Sequence, residues 1–432
     1  MFDVPATEGT EDKPLTILKG HMDMVAAAED GRDFDPLEDS ITVIRDDEEG
    51  TLTADGTSLG ADDGSDVSII MAAVQGKMAH GPLRVIITAD EEDSMAGAFG
   101  MDASWFEGAT YLINIDNEDS SQVLVSTAAG DSVHVTKKVA FAAPSESVAL
   151  AIGVSGLKGG YSGVEIDKGR LNGIMGLAGL LKQLDEAGIA FELASFTGGT
   201  AGNAIRPKAQ ATIVVNADAV AAVEQAAAAW LDAAKTDYAD IENVDAMKRT
   251  VTKAESLPNV VSTEDRDALI TLAITAVNGV HTMSADKEGL VESSSNFGIL
   301  KLDEEGLDAL VTVRSSVGEK ETELVEAHKA LAQEIGCEVE VTKLADPWPY
   351  DPSNKLTELG KQVYQKLNGE EIEVAAVHGG LECGTFKVLK PDLDMISIGP
   401  DLKDVHTPQE TLYLKSIPKT WRLLEGILAE IS

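Results

Sequence analysis

The stretch LRVIITADEED, residues 83–93, carries an apolar run, Val85–Ile87, almost directly into four adjacent acids, Asp90, Glu91, Glu92 and Asp93. The apolar run reads as a buried strand. Four neighbouring carboxylates repel one another, so a positive partner is expected nearby. Working outward, LTILKGHMDMV (15–25) and TYLINID (110–116) read as two more buried strands, and SDVSIIMAAVQGKMA (65–79) has helical spacing. Strand, helix, strand, strand predicts an α/β sheet covered on both faces.

From about residue 130 the texture changes. A strand at 148–157, a helix at 171–188 stopped by glycine, two further strands and an Ala-rich helix at 219–235 make one pass. A helix at 265–278, strands at 293–301 and 308–316, a helix at 321–335 and a strand at 337–343 make a second. Two such passes suggest a duplicated α+β unit. ADPWPYDPSNK (345–355), rich in proline and aromatics, marks a crossing back. Beyond it, a helix at 356–367, a strand running into a Gly turn at 373–384 and a strand at 395–400 restore the α/β texture. The expected division is an α/β domain split between residues 1–130 and 346–432, with residues 131–345 inserted.

The chain has 432 residues, too long for one ordinary core. Its 74 acids against 34 bases give a net charge of −40, which argues against nucleic acid and against an anionic membrane surface as partners. Two distant cysteines, Cys337 and Cys383, argue against a disulfide framework. MFDVPATEGTEDK has neither the basic nor the apolar region of a signal peptide, and no apolar run is long enough to span a membrane. A cytoplasmic protein is expected.

Candidate chemistry sits at strand ends. His21 and Asp23, two apart, share a face, so Asp23 can orient His21 on a metal. Asp62 lies in the Gly-flanked loop SLGADDG, Glu91 and Glu92 end the 83–89 strand, Asp116 ends LINID and His406 follows MISIGPDLKDVH. In open α/β sheets ligands gather outside the carboxyl ends of strands. Taken singly, each residue has an ordinary reading. A histidine on an apolar strand is usually structural, an acidic run is usually a solvated loop, and Asp62 could cap a helix. Together they offer two imidazoles and three carboxylates, a set that suits zinc or a similar divalent ion. One carboxylate can bridge two ions about 3.5–4 Å apart, leaving a spare Glu as general base.

GHMDMV, TSLGADDG, TADEED, LINID, GLKGGYSGVEI, GNAIRP, HGGLECGTF and IGPDLKDVHTP together resemble, in order, the di-zinc dipeptidase and aminoacylase family. The resemblance implies a zinc-peptidase-like mixed sheet with helices on both faces. It also implies an inserted α+β lid domain of duplicated ferredoxin-like units, through which two copies pair as a homodimer. It implies two divalent ions, zinc with cobalt or manganese as alternatives, and hydrolysis of dipeptides, Xaa-His among them. Asp62 is then the bridging ligand, with His21 and Asp116 on one ion and Glu92 and His406 on the other. Glu91 is the general base that takes a proton from the attacking water, and Asp23 orients His21. A cis peptide between Asp62 and Asp63 is also implied. Asn203 and Arg314 match substrate-contacting positions, and Glu382 is expected to line the pocket.

Two departures stand out. Tyr161 in GGYSG replaces the family's histidine, which helps to stabilise an oxyanion; a tyrosine hydroxyl donates one neutral hydrogen bond instead. Only 20 residues precede His21, where relatives have a helix and more strand, so a shortened chain or a sheet lacking an edge is expected. Alternative activities within the family are N-acyl amino acid deacylation and tripeptide aminopeptidase action. The alternative outside enzymology is a metal-binding relative without turnover.

Overall fold

The computed structural model describes residues 1–76 and 78–431. The chain forms two compact units, Met1–Thr127 with Ala345–Ser432, and Ala128–Leu344.

The first unit is built on a seven-stranded mixed sheet. Its strand order is Phe2–Val4, Leu83–Thr88, Leu15–His21, Ala109–Ile115, Asp394–Ile398, Gln122–Thr127 and Glu373–Val377. Four neighbours, from Leu83–Thr88 to Asp394–Ile398, run parallel, so their carboxyl ends share one edge of the sheet. Phe2–Val4 runs antiparallel to Leu83–Thr88, and Gln122–Thr127 runs antiparallel to Asp394–Ile398 but parallel to Glu373–Val377. Successive strand side chains face opposite sides, and both sides are covered. On one side Leu18, Val85, Ile113 and Ile396 pack with Ile70 of the helix Ala61–Gln75, Val363 of Lys355–Asn368 and Ile427 of Ile417–Glu430. On the other, Ile17, Ile86, Leu112 and Met395 pack with Phe106 and Phe386. A strand buried on both faces has no polar positions to alternate with, which explains the continuous apolar runs. Ile113 has no exposed surface, and truncating it to alanine costs about 2–5 kcal/mol.

A small antiparallel sheet joins distant segments of this unit. Its order is Leu402–Lys403, Thr411–Tyr413, Thr51–Ala54 and Val43–Asp46. It thereby brings the 402–413 chain beside the segment that leads into the helix Ala61–Gln75. The helix expected over 65–79 starts earlier and ends at Gln75, while Lys77 lies outside the described residues. The strand-into-turn expected over 373–384 is a strand only at Glu373–Val377, and a helix starts at Cys383. The strand Ala129–Lys137 and the helix Ile417–Glu430 are unanticipated.

The second unit carries a nine-stranded sheet. Val148–Ser155, helix Gly173–Glu186, Phe191–Gly198, Ala209–Val215, helix Val220–Asp237 and Lys248–Lys253 make one strand–helix–strand–strand–helix–strand pass. In the sheet its strands stand fourth, first, third, second, the ferredoxin-like order. Ala129–Lys137, helix Thr263–Thr275, Val291–Asp303, Gly306–Ser315, helix Gly318–Glu334 and Glu338–Ala345 repeat that order in reverse along the same sheet. The second strands of the two passes pair, Phe196 opposite Leu302. The first pass is therefore inserted within the second, between its first strand and first helix. Among the described residues no helix is long and apolar enough to cross a membrane.

Candidate metal centre

The parallel strands deliver their last residues to one edge of the sheet. His21 closes Leu15–His21, Asp116 follows Ala109–Ile115, and Glu91 and Glu92 follow Leu83–Thr88. His21 Nε2 lies 3.3 Å from Asp62 Oδ1 and 3.8 Å from Asp116 Oδ1. His406 Nε2 lies 3.3 Å from the other Asp62 oxygen, Oδ2, and 2.9 Å from Glu92 Oε2. Asp62 thus offers one oxygen to each of two ligand groups, His21–Asp62–Asp116 and Asp62–Glu92–His406. Within each group the ligand atoms lie within 4.8 Å of one another. His21 is buried, while His406 is half-exposed.

The backbone explains how one short stretch supplies two differently placed acids. After the strand, Asp90 adopts a left-handed conformation, φ 63°, which re-aims the residues that follow. Its carboxylate accepts a hydrogen bond from Ser94, so Asp90 serves the loop and not the ligand groups. His406 is also left-handed, φ 64°. The Asp62–Asp63 peptide bond is cis.

Asp62 does not cap its helix. Glu410, almost wholly buried, accepts the backbone N–H groups of Leu59, Gly60, Ala61 and Asp62 at 2.7, 2.8, 2.8 and 3.1 Å. The helix begins after Gly60 at φ 71°, so Glu410 satisfies donors that the start of a helix leaves open. Asp63 also belongs geometrically to the His21 group, but its Oδ2 accepts the His21 backbone N–H at 2.6 Å. Gly20 makes room for this: a Cβ there would lie 2.6 Å from Asp63 Oδ2. His21 Nδ1 lies 3.1 Å from the Asp23 backbone carbonyl and 3.5 Å from Asp23 Oδ1. Asp23 Oδ2 accepts the Glu92 N–H at 3.1 Å, so Asp23 ties both ligand groups together.

The electrostatics call for positive charge. Burial opposes a charged His21, but its hydrogen bond to Asp62 and the charges of Asp116 and Asp63 prevail and push its pKa up to about 10. At His406 the hydrogen bonds to Asp62 and Glu92 do the same, also to about 10. Although burial works the other way, the two histidines hold Asp62 well below the usual carboxylate range. Burial, with Asp116 nearby, pushes Glu91 up to about 8. Among the described residues no lysine or arginine pairs with Asp62, Glu91 or Glu92, and Glu92 Oε1 is buried without a hydrogen-bond donor. Nitrogen and oxygen donors converging on such a deficit fit divalent cations.

Glu382 departs from expectation. It has no exposed surface, and its Oε2 is taken by Lys19 Nζ at 2.5 Å and by the Thr88 hydroxyl at 2.7 Å, so it lies behind the ligands and not on an open wall. The motifs and strand ends of the sequence single out neither Lys19 nor Glu410. Lys19 had a signal, a charged residue two positions from His21 on an apolar strand; Glu410 had none. Tyr161, Asn203 and Arg314 come together within the second unit. Tyr161 pairs with Ala204, the Ser162 N–H donates to the Asn203 carbonyl at 2.9 Å, and Arg314 Nη2 is 3.5 Å from the Tyr161 hydroxyl. The Arg314 guanidinium stands 5.7 Å from the Tyr161 ring centroid, and its Nε is buried without a partner.

One carboxylate common to two ligand groups, with a spare acid beside them, is the working arrangement of a dinuclear metallohydrolase. Comparison with known proteins agrees with this class and narrows it. Peptidase family M20/M25/M40 matches residues 17–430, and the chain belongs to that family. It is 31% identical to the cytosol non-specific dipeptidase of Escherichia coli strain K12, over 99% of this chain and 87% of that protein. The crystal structure of aminoacylhistidine dipeptidase from Vibrio alginolyticus matches with a TM-score of 0.89 at 29% identity, covering 100% of this chain and 87% of that one. An aminopeptidase structure from Bacillus cereus matches with a TM-score of 0.52 at 16% identity, covering 99% of this chain and 83% of that one, a likeness of fold alone.

Proposed function

We propose that this protein hydrolyses dipeptides, Xaa-His among them, with two divalent ions, zinc in the first place and cobalt or manganese as alternatives. The observation that carries the reading is Asp62, whose two oxygens serve the His21 and His406 groups separately. Bound there, the ions would polarise the scissile carbonyl and make water nucleophilic. His21, Asp62 and Asp116 hold one position, and Asp62, Glu92 and His406 hold the other. Asp23 fixes the His21 ring through its backbone carbonyl. Glu91 makes no ion pair among the described residues, and burial raises its pKa to about 8, so it holds a proton more readily than an ordinary carboxylate, as a general base must. It takes the proton as the water oxygen bonds to the carbonyl carbon, and returns it to the amine as the C–N bond breaks.

Arg314, beside Tyr161 and the Asn203 loop, grips the substrate carboxylate, for which its fork of donors is suited. Tyr161 supplies a neutral hydroxyl where the family has histidine, and so contributes a weaker oxyanion contact. A cytoplasmic location and a homodimer formed through the inserted residues 131–345 complete the proposal.

The test is an assay of purified protein loaded with zinc, cobalt or manganese, and of chelated protein, against Xaa-His and other dipeptides. N-acyl amino acids and tripeptides run alongside. Dipeptide turnover that chelation abolishes is expected. Folded protein carrying two ions but cleaving none of the dipeptides would sink the reading.

A further inference from the structure

Lys19 has no exposed surface and stands two residues before His21 on the same strand, hence on the same face. An unpaired lysine buried this deeply gives up its charge. Here two carboxylates hold it: Nζ lies 2.5 Å from Glu382 Oε2 and 3.3 Å from Asp116 Oδ2. Among the described residues, no other lysine or arginine pairs with an acid of the centre. Glu382 belongs to neither ligand group, and Thr88 fixes it from the next strand through a 2.7 Å hydrogen bond. The carboxylate of Asp116 is divided as a result. Its Oδ2 faces Lys19 and, at 3.4 Å, the side-chain amide of Asn114, while its Oδ1 faces His21.

Resting on the two-metal reading, we infer that Lys19 is a positioning residue for the His21-side ion. It anchors Asp116 by one oxygen so that the other is presented to the metal, and Glu382 is its fixed counter-ion. Among the described residues no lysine or arginine anchors the His406 side, where Glu92 and His406 meet directly. The two positions therefore depend unequally on Lys19. A ligand carboxylate free to rotate would bind its ion less well, whereas the His406 group would be left intact. Partners behind metal ligands typically contribute about 10–100-fold in metal affinity.

The experiment titrates zinc into chelated wild type and Lys19→Met against a competing chelator, with folding checked by circular dichroism. Expected is one ion bound as in wild type and the other weakened about 10–100-fold, with kcat restored by excess zinc. Unchanged affinity for both ions in folded Lys19→Met overturns the inference. So does equal weakening of both, which marks a merely structural role. If Lys19→Met does not fold, the double variant Lys19→Met/Glu382→Gln removes both buried charges and is judged by the same outcomes. Wild type that binds fewer than two zinc ions rejects the two-metal reading instead, independently of any variant.

Discussion

Glu410 holds the backbone of Asp62. Its carboxylate accepts four consecutive N–H groups ending at Asp62, and it stands four residues beyond His406. A single buried acid thus links the shared ligand to the segment bearing a ligand of the second group. Glu410→Gln keeps the shape but replaces half the acceptor with an NH₂ that faces donors. Charge-assisted hydrogen bonds contribute about 1.5–3 kcal/mol, and a loss of that size is expected. Thermal denaturation of the chelated protein measures it; an unchanged melting temperature would show the cradle to be dispensable.

Glu91→Gln removes the proposed base and leaves every ligand in place. Two zinc ions should still bind, while kcat falls about 10²–10⁴-fold. Steady-state kinetics with metal analysis on the same sample decides this. Retained kcat would assign the proton transfer elsewhere.

Metal uptake should release protons. His21 and His406 keep theirs up to about pH 10 in the ion-free protein, well above the ordinary histidine value. Ions must displace these protons at neutral pH, so affinity rises with pH and levels off once pH 10 is passed. Raised histidine values also mean that their contribution to ion-free stability is complete below about pH 6.5 and is lost as pH rises through 10. Calorimetry of zinc binding in buffers of different ionisation enthalpy reads the released protons directly. Zero release at pH 7 would contradict the expectation.

Gly20→Ala tests the close approach beside His21. The new methyl would sit 2.6 Å from Asp63 Oδ2 and 3.2 Å from Ile70 Cδ1. Overpacking of this kind costs about 1–3 kcal/mol, and it should also disturb the Asp63 bond to the His21 N–H. Urea denaturation and zinc stoichiometry are the measurements, and normal values for both would refute the constraint.

Arg314→Ala should act on substrate binding. Loss of a charged hydrogen bond worth about 1.5–3 kcal/mol raises KM roughly 10–100-fold for a dipeptide with a free carboxylate. A dipeptide amide, lacking that carboxylate, should be nearly indifferent to the change. Equal losses on both substrates would place Arg314 outside carboxylate recognition.

The parallel strands were legible because burial on both faces leaves unbroken apolar runs, each ending where the chain turns polar. His21, Glu92 and Asp116 could be placed together for that reason, since a common strand direction fixes a common edge. Asp62 and His406 were harder: neither ends a strand of the main sheet, so their grouping rested on loops near strand ends and gained weight from the ordered motifs. The Glu382 expectation failed because its surroundings depend on Lys19 and Thr88, which come from other strands. Glu410 left no trace, because four backbone donors have no sequence signature. Ala129–Lys137 was hidden for a topological reason: it opens a pass whose remaining elements resume only after another complete pass.

The strand Asp394–Ile398 lies in the middle of the catalytic sheet, between Ala109–Ile115 and Gln122–Thr127. Synthesis runs from the N-terminus, so this central place is filled among the last. Until then the sheet has two incomplete halves, each with an open edge, and His406 has not yet emerged from the ribosome. On the proposed two-metal reading, the ability to hold both ions therefore belongs to the finished chain, and a nascent chain passes through synthesis without the complete centre.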